Sequence, residues 1–250
     1  MSETTVIACD VGNSRLKMLI GDSVHYFEYS DDWLDDVSSV VATFDDEFTI
    51  CGISSVNDDE SKLLQQCLRM MSFQCFEITY KHIQPYVTTD RITGTGLDRL
   101  LGAVGASRFT EPPYFTIDFG TAITVNMVTS QREFIGGTIM PGLSTQLAAL
   151  QEHTDKLPLV SLRNIQSAVG TTTDDAILSG VVHGVVGAVS NIITKAQKEH
   201  RNLRNAQVLF CGGDAEFIAP YFPDGYAILN PLLVLRGIEK ITSDIYLGQL

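Results

Sequence analysis

The sequence predicts an α/β protein made of two copies of one mixed-sheet unit, and three observations predict it. An apolar run that ends in Asp-x-Gly and passes at once into another β-like run occurs twice. Thr5 to Cys9 leads into Asp10-Val11-Gly12-Asn13, and Tyr114 to Ile117 leads into Asp118-Phe119-Gly120-Thr121. The copies lie about half a chain apart, the mark of a duplicated supersecondary unit. Each is followed by a short β meander, and after it segments of helical period alternate with brief apolar strands, as in a mixed sheet with helices on its faces. A chain of 250 residues is long enough for two domains of about 110–140 residues.

The elements follow in order. Arg15 to Ile20 and Val24 to Tyr29 complete the first meander. Asp31 to Ala42 reads as an acidic amphipathic helix and Thr49 to Ser54 as an apolar strand. Asp59 to Met71 is a helix capped by Asn57 or Asp58, and Cys75 to Ile78 a strand. A polar loop rich in Thr and Gly, Tyr80 to Gly96, is too long for a mere connector and is a candidate site loop. Leu97 to Arg108 is helical. Glu111-Pro112-Pro113 then breaks the chain, which places a boundary between domains 1–112 and 113–250. In the second half Ala122 to Thr129 and Glu133 to Ile139 continue the meander. A helix spans Leu143 to His153, and a loop Thr154 to Asn164 carries Lys156-Leu157-Pro158. Thr173 to Glu199 is a long helix. A strand from Ala206 to Cys211, a helix ending at Tyr221, a strand from Tyr226 to Leu229 and a helix from Pro231 to Tyr246 close the chain. Gly180, Gly184 and Gly187 repeat at near-helical spacing in the long helix. They destabilise it by roughly 1 kcal/mol each, so close approach of another helix or a ligand is expected there.

Composition narrows the function. Net charge is −13 and no basic cluster occurs, which argues against nucleic-acid or anionic-membrane partners, since both need concentrated positive charge. The acidic groups Asp31-Asp32, Asp35-Asp36 and Asp45-Asp46-Glu47 read as solvated faces and turns. Five cysteines, Cys9, Cys51, Cys67, Cys75 and Cys211, form no CxxC pair. Three of them lie in apolar strands, so buried reduced thiols and a cytoplasmic location are expected. The N-terminus shows no signal-peptide pattern. The apolar stretch Ala176 to Ile193 is interrupted by Ser, Gly, His and Asn, and reads as a buried helix.

Four short segments carry chemistry. In Asp10 to Lys17, backbone N–H groups and small polar side chains at a tight turn can face a phosphate. Asp10 can hold a hydrated Mg²⁺ beside it, because Mg²⁺ takes one or two carboxylates plus waters and phosphate oxygens. An ordinary glycine hairpin has the same pattern, and it is the recurrence at Asp118 that favours a phosphate site. Gly212-Gly213, between a strand and a helix, suits the adenosine side of a nucleotide, as well as a plain tight junction. Asp98 stands in the first turn of a helix, where it can act as a general base or simply cap the helix. Arg99 beside it can bind a carboxylate or phosphoryl group, or form a surface ion pair. The histidines show no metal-ligand spacing, and no nucleophile elbow, P-loop or dinucleotide fingerprint is present.

Taken in order, Asp10-Val-Gly-Asn-Ser, Gly96-Leu-Asp-Arg99, Asp118-Phe-Gly-Thr-Ala-Ile-Thr124, Gly136-Gly-Thr-Ile-Met-Pro-Gly142, Lys156-Leu-Pro158, Val169-Gly-Thr-Thr-Thr173 and Cys211-Gly-Gly213 resemble the type III pantothenate kinases of bacteria. These belong to the acetate and sugar kinase, Hsp70 and actin superfamily. The resemblance spans nearly the whole chain. It implies two duplicated ribonuclease H-like domains of actin/Hsp70 type, each a mixed five-stranded sheet with flanking helices, around a central nucleotide cleft. It implies ATP-dependent phosphorylation of pantothenate to 4′-phosphopantothenate, the first step of coenzyme A synthesis, with Asp98 as general base. On that resemblance Asp10, Val11, Gly12, Asn13, Ser14, Arg15, Leu16 and Lys17 hold ATP and Mg²⁺, with Thr121 contacting the phosphates from the second domain. Gly96, Leu97, Asp98, Arg99 and Thr173 bind pantothenate, and Asp118 binds K⁺ or NH₄⁺. A homodimer is implied as well.

One stretch departs from the family pattern. Members often carry an aromatic contact shortly before Gly-x-Asp-Arg, followed by an Asn-Pro or Thr-Pro step. Here Tyr86-Val-Thr-Thr-Asp-Arg-Ile-Thr-Gly-Thr95 has no proline and Tyr86 lies further upstream. Two other readings remain: a sugar or N-acetylhexosamine kinase of the same superfamily, and a non-catalytic nucleotide-binding accessory protein.

Overall fold

The computed structural model describes residues 4–44 and 49–250; the Asp45-Asp46-Glu47 run lies outside them. Strands β1 (Val6–Val11), β2 (Arg15–Ile20) and β3 (Ser23–Glu28) form the expected meander, followed by α1 (Trp33–Val41), β4 (Ile50–Ser55), α2 (Asp58–Met70) and β5 (Gln74–Glu77). Helix α3 (Leu97–Ala106) precedes a second meander of β6 (Tyr114–Phe119), β7 (Ala122–Val128) and β8 (Phe134–Pro141). Then come α4 (Leu143–Glu152), α5 (Thr173–Glu199), β9 (Gln207–Cys211), α6 (Ala215–Ile218), β10 (Ile228–Leu229) and α7 (Leu233–Tyr246).

These strands make two five-stranded sheets, ordered β3-β2-β1-β4-β5 and β10-β9-β6-β7-β8. Both follow one plan. The first strand pairs antiparallel with the second, the second antiparallel with the third, and the first parallel with the fourth. Asp10 faces Lys17 on one side and Ser54 on the other; Asp118 faces Thr124 and Cys211 in the same way. The duplication read from two Asp-x-Gly turns is therefore matched strand by strand.

The chain divides into two compact units, residues 1–88, 94–108 and 233–250 in one and residues 89–93 and 109–232 in the other. The expected split at 112/113 differs from this division chiefly at the end of the chain. Helix α7, expected with the second half, packs on β1 and β4 and against α3. Its stripe of Leu233, Leu235, Ile238 and Ile241 is buried, and no local sequence signal tells which sheet such a stripe will cover.

In unit 1, α1 and α2 cover one face of the sheet through Trp33, Val37, Val41, Leu64 and Leu68, packed on Ile7, Cys9, Val11, Leu16, Met18, Cys51 and Ile53. The Asn57 side chain caps α2 by accepting from the Glu60 amide at 3.4 Å. The opposite face is closed by α3 and α7, whose backbones touch. A Cβ on Gly105 would run into the Leu233 carbonyl, and one on Gly237 into the Leu101 carbonyl. Gly52 of β4 is small for a related reason, since a Cβ there would overlap the Thr242 side chain. Arg236 ties α7 to the β2–β3 turn, donating to the Gly21 carbonyl at 3.1 Å and to Asp22 at 2.7 Å.

In unit 2, α5 lays Leu178, Val181, Val182, Val185, Val189 and Ile193 on Phe115, Ile117, Phe119, Ile123, Val125 and Phe210. This helix is long and apolar enough to cross a membrane by length and composition alone; here that apolar stripe packs on the sheet. Among the described residues, no close neighbour stands at the glycines of this helix. A Cβ at Gly180, Gly184 or Gly187 would meet nothing within 4 Å, so no part of the described residues approaches them closely. They line the exposed side of the helix, opposite the stripe that packs.

Gly105→Ala and Gly237→Ala should each destabilise the protein by about 1–3 kcal/mol, the usual range for overpacking, because the obstacle is backbone and cannot rotate away. Urea denaturation of the two variants measures this.

Candidate functional site

The first turn is built by the β1–β2 pairing. Gly12 donates its N–H to the Arg15 carbonyl at 3.1 Å, closing a tight bend. Val11 and Leu16 point into the core, while Asn13, Ser14 and Arg15 are exposed. Of the residues expected to face a nucleotide, Val11 and Leu16 can thus offer only backbone groups. Arg15 turns along the sheet, 3.6 Å from Glu28 and with its guanidinium 5.1 Å from the Tyr26 ring centroid. What remains aimed at solvent is the Asn13–Ser14 backbone with the Asp10–Lys17 pair, 3.9 Å apart, at its base.

Asp10 keeps 21% of its side chain exposed. Burial raises its carboxyl above the ordinary range, Lys17 opposes that shift, and Asp98 adds to it. Asp98 is remote in sequence, yet close enough in unit 1 for its charge to act on Asp10. Below this turn the Tyr29 hydroxyl donates to the Gly12 carbonyl at 2.9 Å. Its phenol is pushed up to about 12 by burial, then by Glu60 and Asp10, so it remains a neutral donor at any ordinary pH.

Asp98 comes from the first turn of α3, which begins after Gly96. Its Oδ1 lies back over Gly96, in the space a Cβ would occupy, so a side chain at 96 would displace the carboxylate. Asp98 is exposed, Arg99 half-buried and Leu97 buried among core side chains. Burial lowers the Arg99 guanidinium from its usual value, and Asp98 opposes this. An anion bound at Arg99 would offset the same desolvation.

Unit 2 assembles the second set. A Cβ on Gly212 would strike Asp118 Oδ1 and the Phe119 carbonyl; the residue also has φ of +90°, a conformation glycine adopts freely. A Cβ on Gly120 would stand 3.6 Å from the same carboxylate oxygen. Asp118 is thereby cradled between the hairpin and the Gly212-Gly213 turn, two segments far apart in sequence. The Asp214 amide donates to the Phe119 carbonyl at 3.0 Å, locking them together. Burial raises the Asp214 carboxyl. The Thr121 side chain is exposed, and its carbonyl accepts from Gly142 N–H and from the Thr145 hydroxyl, both at 2.8 Å. Thr173 is exposed at the start of α5, just after the Thr172 cap, whose hydroxyl accepts from the Asp175 amide at 3.1 Å.

A model of the type III pantothenate kinase family matches residues 6–195. The chain belongs to that family. It is 30% identical over 219 residues to a type III pantothenate kinase of Flavobacterium johnsoniae, covering 86% of this chain and 88% of that protein. It is 40% identical over 157 residues to one from Desulfotalea psychrophila, where the match covers 62% of this chain and 59% of the relative. Among solved structures, a Campylobacter jejuni protein described as a conserved Baf family transcriptional activator superposes with a TM-score of 0.61. It is 24% identical and covers 98% of this chain and 100% of that one. The apo ParM protein of pSK41 gives a TM-score of 0.54 at 11% identity, with 99% of each chain covered. These two likenesses concern the fold, the actin-like architecture with two ribonuclease H-like units.

Within this family member, Tyr86 is held by α7. Its hydroxyl donates to Asp244, and Lys240 stands 5.2 Å from its ring centroid. A cavity of about 670 Å³ opens nearby, between Thr4–Val6, Gly21–Asp22 and α7. Its charged lining groups are already paired, Arg108 with Glu239, Lys240 with Asp244 and Asp22 with Arg236, and it includes no residue of either turn. Two residues of the site carried no sequence signal. Tyr29 acts on the turn from the end of the third strand, and Asp214 follows two glycines that drew attention to themselves.

Asp10 also sets a pH expectation. A carboxyl raised in the folded state binds more protons folded than unfolded between its ordinary and its raised value. Stability therefore falls as pH rises through that window. Asp10→Asn should raise the thermal midpoint of the ligand-free protein at neutral pH and abolish that advantage at acidic pH. Calorimetry at the two pH values measures both arms.

Proposed function

We propose that this chain transfers the γ-phosphoryl group of ATP to the 4′-hydroxyl of pantothenate, giving 4′-phosphopantothenate and ADP. The observation that carries the reading is the placement of Asp98 beside Asp10 in a member of this family. An exposed carboxylate lies close enough to a turn suited to phosphates for its charge to act there. In the proposed reaction Asp98 accepts the proton of the attacking hydroxyl as its oxygen bonds to phosphorus and the bond to ADP breaks. Arg99, with Gly96 and Leu97 shaping the backbone beside it, orients the acceptor through its carboxylate. The Gly12–Ser14 backbone and Lys17 hold phosphate oxygens, Thr121 serves as a phosphate contact, and Gly212-Gly213 receives the adenosine side. Thr173 contacts pantothenate.

Metal ions fit these residues in two different ways. Among the described residues no group of three or more His, Cys, Asp or Glu side chains is gathered for a metal. A divalent ion at Asp10 would therefore keep waters and phosphate oxygens as its other ligands, the habit of Mg²⁺. It would neutralise phosphate charge and relieve the burial that raises the Asp10 carboxyl. Asp118, cradled by Gly120 and Gly212, would hold K⁺ or NH₄⁺, whose fixed positive charge favours a polyanionic ligand. We further propose that the exposed glycine side of α5 packs against its copy in a homodimer, and that the protein works in the cytoplasm.

Coupled ADP release should require ATP, Mg²⁺ and pantothenate, and should run faster in potassium than in sodium. Asp98→Asn should lower kcat by about 10²–10⁴-fold, the range for loss of a general base, and leave ATP affinity within a factor of about two. ADP release with a hexose or N-acetylhexosamine instead of pantothenate would reassign the acceptor. ATP binding without any turnover would point to a non-catalytic accessory protein. Light scattering of Gly184→Leu should show monomers where the wild type shows dimers.

A further inference from the structure

The Tyr29–Gly12 hydrogen bond has no assigned part in the reaction above. Tyr29 follows β3 and is partly buried, and its hydroxyl reaches back across 17 positions in sequence to a backbone carbonyl of the first turn. A planar trans peptide links the Gly12 carbonyl rigidly to the Asn13 N–H, and the two point in opposite directions. Fixing the carbonyl inward on Tyr29 therefore fixes the Asn13 N–H outward. Asn13 and Ser14 lie outside the β1–β2 ladder and are exposed, so nothing in that ladder sets their orientation. Glycine at position 12 makes the matter sharper, because its peptide rotates with little steric resistance.

We propose that Tyr29 is a positioning residue for nucleotide binding, a clamp that presets the Gly12–Asn13 peptide so that its N–H faces the phosphates before ATP arrives. This rests on the reading of the Asp10 turn as a phosphate site. The clamp is itself braced. The Tyr29 ring stands edge-on to Trp33, with centroids 5.1 Å apart, and Trp33 is 5% exposed within the core under α1. Preorganisation of this kind raises affinity by removing an ordering cost at the moment of binding. Its loss should therefore weaken the nucleotide and leave the acceptor unaffected.

Trp33 is the chain's single tryptophan, and its contact with Tyr29 lets its fluorescence report on the clamp. Wild type and Tyr29→Phe, which keeps the ring and removes only the donor, are titrated with Mg·ATP in the absence of pantothenate. Trp33 emission and calorimetry follow binding, and thermal melts and steady-state kinetics accompany them. The wild type should bind saturably with a change in Trp33 emission. Tyr29→Phe should bind about five- to tenfold more weakly, the loss expected for one hydrogen bond, and KM for ATP should rise in step. KM for pantothenate should stay within a factor of about two of wild type. A folded Tyr29→Phe with wild-type affinity and wild-type KM for ATP would overturn the clamp. So would a rise of both KM values together with a fall in thermal midpoint, which marks a structural role only. Saturable Mg·ATP binding by the wild type but no pantothenate-dependent turnover would leave the clamp standing and overturn the acceptor. No Mg·ATP binding by the wild type would overturn the phosphate-site reading and the clamp with it.

Discussion

Everything in this protein is arranged around a carboxylate at the end of the first strand of each sheet. Such a group is unstable there on its own. Asp10 has a lysine across the ladder 3.9 Å away, yet burial and the Asp98 charge outweigh it and raise the carboxyl. Asp118 sits so close to Gly120 and Gly212 that a methyl group on the latter would collide with it. Holding charge under these conditions is unfavourable for the free chain, and it meets a requirement of the proposed function, which collects a cation and a polyphosphate. The strand order, the tight turns and the small residues beside each carboxylate all serve that requirement.

The strand plan was readable because duplication doubles a weak signal. One Asp-x-Gly hairpin is ordinary; two, each opening a meander, specify a common unit, and the ladder pairs Asp10 and Asp118 with equivalent neighbours. Helix α5 was legible to its ends, Thr173 and Glu199, since its apolar residues recur at helical period despite the polar interruptions. Strand β10 was not. Tyr226 and Ala227 carry the same β-like composition as Ile228 and Leu229, but only the latter two pair with β9, and pairing at a sheet edge leaves no mark in local sequence.

Site residues divide along the same line. Asp10, Gly96, Asp98, Asp118 and Gly212 stand out because carboxylates and glycines at element ends are conspicuous in type and position. Tyr29 has no such mark: a tyrosine at the end of a meander strand looks like any core aromatic, and its hydrogen bond to Gly12 depends on how β3 returns along β2. The glycines of α5 show the limit of such a signal. Their spacing suggested a close neighbour, whereas the described residues place open space beside them. Spacing shows which side of a helix is bare and leaves open what, if anything, covers it.

The return of the chain to unit 1 has a consequence for synthesis. Residues 233–250 complete a unit whose other parts end at residue 108, and residues 109–232 of unit 2 are made in between. On the ribosome the first sheet therefore emerges with one face closed by α1 and α2 and with α7 still missing from the other. During that interval Val6, Ala8, Leu19 and Ile50, all buried in the finished protein, lack the helix that packs on β1 and β4. The nascent first unit is thus an open apolar surface for as long as the second takes to be translated. Vectorial synthesis makes the last helix the step that ends its exposure to chaperones and to aggregation.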